Sequence, residues 1–91
     1  MNKYLIVLEY LESEKDLSRV ILDNLGTKGY CIQVTLHSFI LSSEISAVEL
    51  RDFLKGVDVG VLSIFVSKIV LPAAWYKSLS ENSEIKQFFH E

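Results

Sequence analysis

Hydrophobic positions along the chain begin as a nearly unbroken run, fall next into helical spacing, and then fill a long extended stretch whose phase slips once. The first run, Lys3-Tyr4-Leu5-Ile6-Val7-Leu8-Glu9-Tyr10, is rich in β-branched and aromatic residues. Continuous apolar character of this kind predicts a strand covered on both faces. It gives way to Glu12-Ser13-Glu14-Lys15-Asp16, where Ser13 and Asp16 have the spacing of a capping box and Glu14 and Asp16 suit the positive end of a helix dipole. Leu17, Val20, Ile21 and Leu25 then recur on one helical face, and Gly26 is a natural stop.

Tyr30 to Leu41 is a second β region, but its alternation slips near His37-Ser38. The slip predicts two strands joined by a tight turn or bulge between Thr35 and Ser38. Ser46 and Glu49 form another capping-box pair ahead of Leu50, Phe53, Leu54 and Val57, with Gly56 closing that helix. Val59 to Val66 is the most strand-like segment, and Lys68-Ile69-Val70-Leu71 offers a further short strand before Pro72. In the tail, Ile85, Phe88 and Phe89 predict a short helix capped by Ser80 or Ser83.

The resulting order is strand, helix, strand, strand, helix, strand and an appendage. It predicts an α+β, ferredoxin-like βαββαβ sandwich: an antiparallel four-stranded sheet with both crossover helices on one face. The 91 residues make one domain, its core spanning about 1–71 and its C-terminal tail 72–91. Because the strands are apolar at nearly every position, the face opposite the helices also needs a cover. A second protomer or the tail would supply it, which is the physical case for a homodimer.

Composition narrows the function classes. Nine Lys and Arg against twelve Asp and Glu leave a net charge of −3, and the basic residues are scattered, which weighs against unaided phosphate binding. The single Cys31 forms no internal disulfide and reads as a small buried hydrophobe. The longest strongly apolar uncharged stretch, Val59 to Ser67, is far short of the roughly 20 residues of a membrane span. The expectation is a cytoplasmic protein without a membrane partner. Two His and one Cys do not furnish a zinc site without carboxylates, and no phosphate loop, nucleophile elbow or dinucleotide fingerprint occurs. His37 reads as a structural or surface histidine, and no cofactor is expected.

Three strings resemble a known family. Tyr4-Leu5-Ile6-Val7-Leu8-Glu9-Tyr10 is similar to an opening strand that ends in an acid. Ser38 to Leu54 is similar to a strand and the helix after it, and Asp58 to Val66 with Ala73-Ala74-Trp75 to a last strand and Trp-bearing tail. Together they resemble the small CRISPR-associated ferredoxin-like endoribonuclease and integrase-scaffold family, and look closer to its SinR-like and toxin–antitoxin relatives. The resemblance implies homodimers. It also implies a catalytic, metal-binding role for Glu9, since in the family an Asp at this place, one from each protomer, is proposed to hold Mg²⁺ or Mn²⁺ for phosphodiester cleavage. Glu9 is one methylene longer than that Asp. The expectation is therefore a non-catalytic module of a bacterial defence, toxin–antitoxin or mobile-element system that binds nucleic acid or protein. A metal-dependent endonuclease built on Glu9 pairs, and a phage- or plasmid-borne binder of host machinery, are the alternatives. Trp75 and Tyr76 are the candidate partner-binding residues.

Overall fold

The computed structural model describes residues 1–10, 17–57, 61–70, 74–76, 78 and 80–90. Its elements run β1 (Asn2–Tyr10), α1 (Leu17–Gly26), β2 (Tyr30–Thr35), β3 (Ser38–Ser43), α2 (Ala47–Lys55), β4 (Val61–Lys68) and α3 (Asn82–His90). The strands form an antiparallel sheet in the order β2-β3-β1-β4, giving an α+β molecule compatible with the expected class.

Local chemistry explains most of the boundaries. The slip near His37 is a tight turn at Leu36-His37, with a register shift between Gln33 and Thr35 and a hydroxyl–hydroxyl bond between Thr35 and Ser38. Gly29 opens β2 where the chain passes hard against β3: a Cβ there would lie 2.0 Å from the Ser42 carbonyl oxygen. At α2, the Ser46 hydroxyl accepts the Glu49 N–H at 3.1 Å and donates to the Glu49 carboxylate at 3.2 Å. The Gly56 N–H closes the far end on the Phe53 carbonyl. The Ser13–Asp16 capping pair expected for α1 lies outside the described residues.

Two boundaries differ from expectation. β4 takes in Lys68, so no separate strand begins there; the Ile69 N–H donates to the Lys3 carbonyl at 2.7 Å, and Ile69 and Val70 leave the sheet. Leu71 and Pro72 lie outside the described residues. Ser83 falls inside α3 rather than at its cap, and the Ser80 hydroxyl donates instead to the Gln33 carbonyl at 2.6 Å.

Strand alternation divides the core in two. Tyr4, Ile6 and Leu8 of β1 join Phe39 and Leu41 beneath Ile21 and Leu25 of α1 and Leu50 and Leu54 of α2. On the opposite face Ile32 and Ile40 lie beneath Ile85 and Phe88 of α3, with Leu5, Tyr30 and Val34 at the margin. β3 is therefore buried along its whole length, and even its Ser43 finds a partner, donating to the Lys28 carbonyl at 2.6 Å. The tail is the cover on this second face.

Candidate functional site

The cover is unequal. α3 lies over the β2–β3–β1 part of the second face, and cross-strand neighbours Val7 of β1 and Phe65 of β4 stay 37% and 61% exposed beyond it. Two residues further along β1, on the same face, Glu9 lies opposite Ser63, also exposed. β4 forms one edge of the sheet, pairing among the described residues with β1 alone. From Val61 to Ser67 it carries no charge; Lys68 is its single ionic residue.

On the helix side of the same edge, α2 and β4 enclose a trough of about 410 Å³ between Arg51, Lys55 and Val61–Ile64. A second recess of about 200 Å³ continues it past Val48 and Phe65. The Arg51 guanidinium is committed locally, donating from Nε and Nη2 to the Asp52 Oδ1 at 3.1 and 2.9 Å. Val48 and Leu62 are 58% and 61% exposed, so both faces of this margin present apolar groups to solvent.

Glu9 stands on an accessible strand end. Lys28 and Lys68 are both placed elsewhere: Lys28 Nζ lies 4.5 Å from the Phe53 ring centroid, and Lys68 is in register with Tyr4, toward the other end of β1. Among the described residues no three His, Cys, Asp or Glu side chains gather to hold a metal ion. Glu12, Glu14 and Asp16, which could extend an acidic cluster, lie outside the described residues. Among the described residues Glu9 is a single carboxylate, which by itself does not fit the multi-oxygen shell that Mg²⁺ requires.

The other singled-out residues lie elsewhere in the fold. His37 sits on the hairpin turn with its ring 4.8 Å from that of Tyr10, whose hydroxyl donates to the Leu36 carbonyl. The Leu8 N–H donates to the His37 carbonyl at 2.8 Å, so the hairpin tip is fastened to the end of β1. Cys31 packs at the helix-side core, where desolvation pushes its thiol up to about 12 and keeps it from acting as a nucleophile near neutrality. Trp75 turns back on its own tail: the indole N–H donates to the Asn82 side chain at 2.9 Å, and the ring stacks on Phe89 at 6.4 Å. It helps line an apolar recess of about 230 Å³ with Leu5, Ile40, Ile85 and Phe89. Tyr76 is 85% exposed.

The residues that sequence reasoning passed over are Val7 and Phe65. Their signal, a sheet-edge strand without charge from Val61 to Ser67, was hidden because neighbouring strands are also rich in apolar residues. No family model, curated protein or solved structure matches the chain.

Proposed function

We propose that this chain is a homodimeric, ferredoxin-like binding module that acts on a protein or nucleic-acid partner without catalysing a reaction. The ferredoxin-like reading is supported by the strand order, by antiparallel pairing throughout, and by crossover helices that share one face. The observation that carries the binding reading is the exposed apolar pair Val7–Phe65 beside an edge strand free of charge over most of its length. Edge strands that are meant to stay alone are usually blunted by charges, Pro or a cover. The setting in a defence, toxin–antitoxin or mobile-element system rests on the resemblance alone.

Sedimentation analysis across the micromolar range tests the dimer. The expected result is a mass twice that of the chain; a strictly monomeric mass at high micromolar concentration overturns it. Incubation with labelled RNA and duplex DNA, with and without Mg²⁺ or Mn²⁺, tests the absence of catalysis. Metal-dependent cleavage that disappears in Glu9→Ala would replace the binding module with a nuclease.

A further inference from the structure

We infer that two copies of this chain join β4 to β4, antiparallel, about a two-fold axis through Phe65, to make one continuous eight-stranded sheet. The inference deepens the homodimer reading and rests on it. Backbone N–H and C=O groups of alternate residues point outward from an edge strand, so a symmetric antiparallel pair can only match outward residues with one another. The axis must then pass through a residue rather than between two.

Two registers use the strand almost fully, one centred on Ile64 and one on Phe65. Centring on Ile64 sets Phe65 opposite Ser63, pairing an exposed ring with a hydroxyl. Centring on Phe65 sets Phe65 against its copy, Ser63 against Ser67 and Ile64 against Val66, with Leu62, at the irregularity where β4 passes Glu9 and Tyr10, toward the aliphatic stem of Lys68. No like charges meet, and directly opposed aromatic residues are a favourable cross-strand pair. On the face that α3 leaves open, Val7 lies beside Phe65 in register. The strip Val7–Phe65 would therefore continue unbroken into its copy, and a second chain supplies the apolar surface that this margin lacks. On the other face each Arg51 brings its own Asp52 counter-charge to the neighbourhood of the axis.

This geometry has a consequence for Glu9. Glu9 pairs with Ser63, two residues from the axis, and lies one strand further in. Three strand spacings sideways and four residues lengthwise place the two Glu9 backbones roughly 20 Å apart. Ligands of a divalent ion lie about 2 Å from it, so the pair cannot share one.

The test uses the full chain. In a Cys31→Ala background, Phe65→Cys should form a disulfide-linked dimer rapidly under mild oxidation, while Thr27→Cys, exposed at the end of α1, should not. Phe65→Lys, checked for native circular dichroism, should weaken the dimer at least ~10-fold in dissociation constant by placing two charges on the axis. A dimer that neither cross-links through position 65 nor responds to Phe65→Lys overturns edge pairing while leaving the homodimer reading intact. A wild-type chain that is monomeric at every concentration overturns both.

Discussion

The two faces of the sheet are covered by different means, and the contrast explains where the molecule is closed and where it is open. On one face, α1 and α2 are crossover helices, each held at both ends by strands, and they bury Tyr4, Ile6, Leu8, Phe39 and Leu41. On the other, α3 follows β4 through the tail and is anchored chiefly by Ile85 and Phe88. The first cover is imposed by the topology. The second is an addition, and it ends before β4, where Val7 and Phe65 remain in solvent.

Truncation should separate the two most sharply. Leu50→Ala, at a fully buried position of α2, is expected to cost about 3–4 kcal/mol and to unfold the domain as a unit. Phe88→Ala removes a fully buried ring from the other face and is expected to cost about 2–3 kcal/mol, less than a central core ring because α3 can detach locally. Hydrogen exchange distinguishes the two cases. In Phe88→Ala the amides of 82–90 should lose protection while those of β1 keep it; equal loss in both would mean that the two faces are one cooperative unit. Ser46→Ala deletes the cap of α2 and should cost about 1 kcal/mol in denaturant unfolding.

The smallest effect at neutral pH concerns Cys31. Its folded thiol ionises only near 12, against 9.0 unperturbed. The stability conferred by keeping the neutral thiol buried is full below pH 9 and is lost as the pH rises from 9 toward about 12, because the unfolded chain releases that proton first. Cys31→Ala should flatten this alkaline decline in thermal unfolding, and the native thiol should resist alkylation at pH 8. Rapid labelling of folded protein at pH 8 would contradict this.

Much of the architecture was legible because local chemistry fixed it. The Ser46–Glu49 pair announced α2, the broken alternation before Ser38 announced the hairpin, and the spacing of Ile85, Phe88 and Phe89 announced α3. The site was less legible. In VLSIFVSK the alternation is only partial: Ser63 and Ser67 share a face with Phe65 while Ile64 and Val66 share the other, a pattern easily overridden in reading by a ring as large as Phe65. The fastening of Tyr10 to the hairpin tip and the return of Ser80 to Gln33 join residues far apart in sequence. Such pairings depend on strand lengths and register, which composition does not encode. Trp75 shows the same dependence: nothing in the sequence foretold its contacts with Asn82 and Phe89.

The tail also touches the far edge of the sheet. Ser78 and Ser80 donate to the Val34 and Gln33 carbonyls of β2, at 3.2 and 2.6 Å, while β4 receives no comparable attention from the described tail. In the dimer proposed above, that asymmetry would set the valence of the molecule. A sheet with two usable edges can add copies without limit and grow into a fibre, whereas one with a single usable edge is satisfied by one addition and stops. In the proposed β4-paired dimer, the tail's hydroxyl bonds to Val34 and Gln33 would leave β4 as the edge open to a second copy, so that association stops at two.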